Sequence, residues 1–363
     1  MLANAAVFAA TPSVQYVKSG DSTVAAVVPT SASLIHTAQM LSPEEDPRVA
    51  ISAAKVIVKE YGGDPNQIVK VNVVAATPEI ADTAREALSA GGVPFSIVVG
   101  ALPHGRKVGA DIVAVGEASA LATSAARILP AGPRVYISGQ AEKGATPAEA
   151  AAKTLQSLVQ TLEAVGSSKG EVVQIKCFLN PMSAAPEVIN EIERIFGKKK
   201  VPFVFVEWKS DLPIEIELIA SAPVSGGNVP VVQYLTPAGM KGSPLFARVV
   251  RINRGDVIYT TGLYGEKAGS GDEQVLSIFE QLRSILKYKD GDLRHLAKAT
   301  YYVSDADASG KLNEIRPKFY DPQRPPAASK AMVPDVGMKH RSISIDMIGV
   351  VATDVPTTDA IKP

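Results

Sequence analysis

The sequence is short of several things. In 363 residues it has one cysteine, one tryptophan and four histidines. A single cysteine permits no internal disulfide, which favours a reducing compartment, so a cytoplasmic location is expected. The histidines, His36, His104, His295 and His340, are scattered without His-x-x-x-His or Cys/His pairing, so a metal site is not expected. Net charge is also missing, since 37 Lys+Arg balance 37 Asp+Glu. With a pI near 6.9, this argues against a nucleic-acid protein that binds through a broad basic surface. No stretch reads as a membrane span; the charge-free run 22–43 carries Pro29, His36 and many Ser and Thr. Residues 1–10 are apolar but lack the positive flank of a signal peptide. They read either as a frayed terminus leading into a first strand or as a remnant of an export signal.

What is present is enough apolar residue, 46%, for packed cores, which excludes wholesale disorder. The length allows two or three domains, and one third of 363, or 121, is a plausible domain size. Repeats support the division. Val14-Gln15-Tyr16-Val17 is similar to Val232-Gln233-Tyr234-Leu235. Three apolar runs end at small residues: Leu34 to Ala38, Val135 to Gly139 and Val257 to Gly262. After each comes a helix, expected over 43–61, 147–165 and 272–288. The second starts most clearly, with Thr146 as N-cap, Pro147 as first helical residue and Glu149 two further on. A strand follows (68–76, 172–179, 297–303), then a second helix (78–90, 184–196, 308–319). A Pro-led strand (94–99, 202–208, 326–333) and a closing strand (109–113, 215–219, 344–348) finish each unit.

Each unit thus reads ββ-α-β-α-ββ: one sheet with helices on one face. The other face needs a neighbour, and three units could bury those faces together around a pseudo-threefold axis. The joints are expected near 116–120 and 225–230, giving units 1–119, 120–228 and 229–363. The middle unit has only 122–129 for its opening hairpin.

These residues suggest a family. Val135-Tyr136-Ile137-Ser138-Gly139-Gln140 resembles the Ser-Gly-Gln strand of the YjgF/RidA (endoribonuclease L-PSP) family, and Ile214-Glu215-Ile216-Glu217-Leu218-Ile219-Ala220 resembles its closing strand. Tyr259 to Gly262, Leu312-Asn313, Pro326 to Ser329 and Ser344-Ile345-Asp346 extend the resemblance to the third unit; the first is the most diverged. The resemblance implies an α+β fold: three tandem chorismate-mutase-like α/β-sandwich domains arranged as a pseudotrimer, monomeric in solution, with small-molecule clefts between domains. It also implies an activity, cofactor-independent hydrolysis of enamines or imines, a deaminase-like reaction. By the same resemblance Glu217, Asp346 and Asp111 are the catalytic carboxylates, Gly139 and Gly262 (with Ala38 in the first unit) face the ligand, and Asn190 and Asn313 are second-helix ligand residues. The family's carboxylate-clamping Arg matches Ser96, Val204 and Ala328, none of them Arg. Only Arg offers that planar two-point fork, so substrate recognition is expected to differ. Arg324, Arg341 and Arg106 lie near the same segments.

Three functions stay open: an enamine/imine hydrolase with altered recognition, a non-catalytic small-molecule binder, and the ribonuclease or translation-inhibitor role of some family members. Charge balance gives the last no support. The other motifs are bland. Cys177 sits in an apolar strand and reads as core. Gly139 to Thr146 has P-loop glycine spacing, but Ala145 stands where the lysine belongs. Lys198-Lys199-Lys200 reads as a solvated turn, and Trp208 as packing at a seam.

Overall fold

The computed structural model describes residues 13–117, 123–198, 200–288 and 290–352. Residues 1–10 and much of the expected joint at 116–120 lie outside that set. The first third of the chain gives β1 (Gln15–Ser19), β2 (Ser22–Pro29), β3 (Leu34–Thr37), β4 (Met40–Ser42), α1 (Pro47–Glu60), β5 (Gly63–Ala75), α2 (Pro78–Ala90), β6 (Phe95–Val99) and β7 (Val108–Gly116). The middle gives β8 (Ala126–Leu129), β9 (Arg134–Gln140), α3 (Pro147–Ala164), β10 (Val172–Leu179), α4 (Ala185–Phe196), β11 (Phe203–Glu207) and β12 (Ile214–Ser221). The last third gives β13 (Val232–Leu235), β14 (Val249–Ile252), β15 (Asp256–Thr260), α5 (Gly271–Lys287), β16 (Leu296–Val303), α6 (Ala306–Ile315), β17 (Ala327–Met332) and β18 (Ile343–Val350).

The helix starts follow their caps. Thr146 accepts from Glu149 N at 3.1 Å, with Pro147 in the first turn. Thr77, Asp305 and Asp46 cap α2, α6 and α1 with their side chains. The Asp46 cap starts α1 at Pro47, four residues later than the apolar pattern suggests. Likewise α6 stops at Ile315 and continues as a 3-10 turn over Arg316–Lys318, because Pro317 cannot supply a helix N–H.

The strands form three sheets with one recurring order. The second runs β11-β10-β12-β9-β14-β13 and the third β17-β16-β18-β15-β2-β1. The first runs β6-β5-β7-β3-β8, with β4 also on β7. The sheets do not follow the sequence divisions strand for strand. The hairpin β1-β2 pairs with β15 in the third sheet, β8 pairs with β3 in the first, and β13-β14 pairs with β9 in the second. Each opening segment is therefore handed to the sheet before it, in a closed cycle. Every handover also grips the sheet it left. Tyr16 donates to Ile68 O (2.8 Å), Arg127 to Val172 O (2.7 Å) and Tyr234 to Leu296 O (2.9 Å). The three acceptors sit at matching places, beside Ala114, Ala220 and Gly349 of the closing strands.

Strand alternation divides each sheet into two faces. One packs on its own helices, as Ile214, Ile216 and Leu218 do against Leu155 and Leu158. The other packs on the other two sheets. Tyr136, Ile219, Val113, Leu34, Tyr259 and Val350 share one core there, and Val74, Val98, Phe178, Val206, Tyr302 and Ala331 share a second. Trp208 lies in that second core, 6.3 Å from Phe178. The layer between these two apolar cores is polar.

Candidate functional site

Register assigns the corresponding positions. Asn72 pairs with Asp111, Lys176 with Glu217 and Thr300 with Asp346. The three carboxylates expected to be catalytic therefore occupy one level of the three closing strands, facing the shared interior. Asp111 and Glu217 are each 2% exposed. The structure places them in a buried belt rather than in open clefts. Lys70 Nζ lies 2.7 Å from Asp346 Oδ1 and also donates to Thr260 O. Lys298 Nζ lies 2.7 Å from Glu217 Oε1. Lys70 and Lys298 come from the first and third sheets and reach the third and second. The matching residue of the second sheet is Gln174, which hydrogen-bonds Asp111 of the first. That sheet's lysine sits two residues later, at Lys176, 3.8 Å from Glu217.

The belt thus holds three ammonium and three carboxylate groups. Burial works against every charge in it. For Glu217 and Asp346 the neighbouring lysines win and hold the carboxyls below their usual range. Asp111, with Gln174 in place of a lysine, is pushed up to about 6, chiefly by burial. A cavity of about 50 Å³ lies inside the belt, lined by Lys70, Lys176, Lys298, Glu217 and Asp346 among others. It is large enough for a little water.

Two residues before each carboxylate, on the same strand face, come Gly109, Glu215 and Ser344. These meet the seams between sheets. Met40 sits beside Ala110, Gln140 beside Ile216 and Leu263 beside Ile345, so Gln39, Gly139 and Gly262 correspond. The first-unit counterpart of the glycines is therefore Gln39, not Ala38. Asn72, Lys176 and Thr300 sit beside Ser96, Val204 and Ser329. The third position matching the family's Arg is thus Ser329, one residue beyond Ala328, and still not Arg.

The three seams differ. Between the first and second sheets, Gln39 fills the gap: its Nε2 donates to Phe205 O at 3.0 Å and its Oε1 accepts from Phe205 N at 3.2 Å. Gly109 makes room, since a Cβ there would stand 2.8 Å from the Gln39 side chain. Between the third and first sheets, Gly262 is buried against Ser96 and Ser344, whose hydroxyls have no hydrogen-bond partner among the described residues. Tyr264 covers this seam, donating to Val336 O at 3.0 Å, and Arg85 stacks on its ring at 4.9 Å. Between the second and third sheets, Gly139 is only half-buried. The Glu215 carboxyl lies against it, so that a Cβ on Gly139 would stand 2.0 Å from Glu215 Oε1 and 2.6 Å from Ser329 Oγ. Ser138 locks the backbone beside it, donating to Ala247 O (2.6 Å) and accepting from Ala328 N (2.7 Å).

Glu215 is the titrating group of this seam. Burial first, and then the Glu217 charge two residues on, raises its carboxyl to about 7, while the Ser329 hydroxyl nearby works in the other direction. No ion pair joins Glu215 to any cation among the described residues. A half-buried carboxyl poised near neutrality can hold a proton or release it, which is what general acid–base work requires. The sequence pointed to Glu217 because both glutamates fit the motif, and alternation puts both on one face.

Asn190 and Asn313 are exposed on α4 and α6, whose buried residues face the sheets. Asn313 accepts from Lys330 Nζ at 3.4 Å. Eight residues after the cap of α2 stands Arg85, and eight after the cap of α6 stands Asn313. Arg85 roofs its seam, while Asn313 has the shorter side chain at that position. Arg341 is spent on Gly265 O and Glu266 O, and Arg324 lies 3.7 Å from Asp321. Cys177 is fully buried in the core of the second sheet, and burial pushes its thiol up.

Residues 118–222 match the family model described as Endoribonuclease L-PSP. No match is found among the curated proteins. Solved structures that resemble this chain include a YjgF-family protein from Neisseria meningitidis, 19% identical over 34% of this chain and 97% of that one, with a TM-score of 0.26. A member of the YjgF/YER057c/UK114 family from Mycobacterium tuberculosis is 27% identical over 27% of this chain and 85% of that one (TM-score 0.24). RidA from an Antarctic Psychrobacter is 20% identical over 26% and 80% (TM-score 0.24). Among the described residues no helix is long and apolar enough to cross a membrane.

Proposed function

We propose that the chain is a covalently linked trimer of RidA-like units, 1–119, 120–228 and 229–363, which exchange edge strands and act as a monomer. Its working ligand cleft is the seam between the second and third sheets, and its reaction is hydrolysis of a small imine or enamine. The observation that carries this reading is the Glu215 carboxyl, half-buried against the half-buried Gly139 and raised to about 7 at the seam between the second and third sheets.

The chemistry needs one group that works both ways. As an acid, Glu215 protonates the imine nitrogen. As a carboxylate, it takes a proton from the water that adds to the carbon. The C–O bond forms and Glu215 holds the water's proton; it then gives that proton to the amine nitrogen, the C–N bond breaks as ammonia leaves, and the hydroxyl proton passes back to Glu215 as the carbonyl compound forms. Ser329 orients the carboxyl. Glu217 keeps Glu215 basic by its charge, while Lys298 keeps Glu217 ionised. Glu217, Asp346 and Asp111 act in this reading as the electrostatic frame.

Ammonia release from freshly generated imines tests it. The Glu215→Gln variant is expected to lose about a hundredfold or more in rate, the usual worth of a general acid–base group. Wild-type release no faster than buffer would end the hydrolase reading. The absence of Arg at Ser96, Val204 and Ser329 favours a second reading, a cleft that binds without turnover. Thermal stabilisation by a ligand, with no ammonia, supports that one.

A further inference from the structure

The half-exposed seam between the second and third sheets is unbalanced in charge, and the imbalance points to a ligand class. Glu215 and Glu217 lie two residues apart on the same face of β12, with Ser329 beside them. Lys298 sits 2.7 Å from Glu217, and Lys176 is also nearer that carboxylate. Both lysines belong to the belt. Glu215 has the Ser329 hydroxyl nearby and no cation in an ion pair with it among the described residues. A negatively charged ligand group entering here would face a half-buried carboxylate with only a hydroxyl to meet it. Like charges held together away from water repel strongly. The position that would carry a carboxylate clamp is Ser329 itself, which offers one donor and no charge. A nitrogen cation reverses every term. It pairs with Glu215 through a charge-assisted hydrogen bond, and it compensates a carboxyl that burial otherwise disfavours.

We propose that the cleft between the second and third sheets takes a small ligand bearing a positive charge on nitrogen, an ammonium or iminium, and no carboxylate. The inference rests on the reading of this seam as a ligand cleft. It restricts the substrate to amine-derived imines rather than those derived from amino acids.

Calorimetric titration of the full chain at pH 8 with isobutylammonium and with isobutyrate, two probes of matched shape, tests it. Isobutylammonium is expected to bind at least tenfold more tightly. Glu215→Gln should abolish the preference while leaving the circular dichroism spectrum unchanged. Ser329→Arg, which neutralises Glu215 internally, should shift the preference toward isobutyrate. Equal or tighter binding of isobutyrate by the wild type, or an ammonium affinity indifferent to Glu215→Gln, overturns the inference, as does failure of both probes to bind. The two readings fail separately. Ammonia release from carboxylate-bearing imines alone would refute the ligand class and keep the cleft. No binding together with no release from any imine would refute both.

Discussion

Glu215 and Glu217 stand two residues apart on β12 and meet different surroundings. The closing strand offers Glu215 and Glu217 with the same periodicity, and alternation places both on the interior face. What separates them is depth: one meets a seam, the other meets two lysines from elsewhere in the chain. Neither lysine contact is visible in β12 itself. The burial of Glu215 has a consequence for stability. Its folded value, about 7, lies above the ordinary 4.5. Below pH 4.5 both folded and unfolded chains hold the proton, and above 7 neither does. Stability therefore falls as pH rises through that window, by about 3 kcal/mol if the whole shift is expressed. Denaturant unfolding at pH 4.5 and pH 8 should show this fall in the wild type. It should shrink by that amount in Glu215→Gln. An unchanged difference would place Glu215 in contact with water. Asp111, raised to about 6 by burial, falls in the same direction and makes the comparison with the variant necessary.

At the scale of elements, much was legible. Helices read correctly wherever a capping residue and an apolar period agreed, as at Thr146 and Thr77. Strand order within each unit was legible too. Register was not, because between β3 and β4 the chain advances four residues, from His36 to Met40, against three on β7, from Val113 to Ala110. A slip of one residue moved Gln39 to Ala38 and Ser329 to Ala328. The strand handover was also hidden, since β2 and β3 are separated by four residues yet belong to different sheets. The belt ties these sheets together. Lys298→Met should cost roughly 3–5 kcal/mol in chemical denaturation, because it leaves the Glu217 charge buried with one weaker partner. Adding Glu217→Met should restore most of that loss. If the double variant is no better than the single one, the pair is not what couples the second sheet to the third. Deleting residues 1–29 should strip two strands from the third sheet and leave β15 as an open edge prone to aggregation.

Across the whole molecule, the balance of charge with which the sequence opens has an internal counterpart, three lysines against three carboxylates in the belt. In the proposed fused trimer each seam is free to differ from the others. Gln39 fills one, Tyr264 and Arg85 roof another, and Glu215 occupies the third. A molecule that carries its own three units should run near 38 kDa in light scattering, not near the 114 kDa of a trimer of such chains. The number of working clefts is the most direct test of the account. Titration of isobutylammonium into the 38 kDa chain at pH 8 should give one site per chain, weakened at least tenfold in Glu215→Gln. Three sites per chain, or one site whose affinity is indifferent to Glu215→Gln, would contradict it.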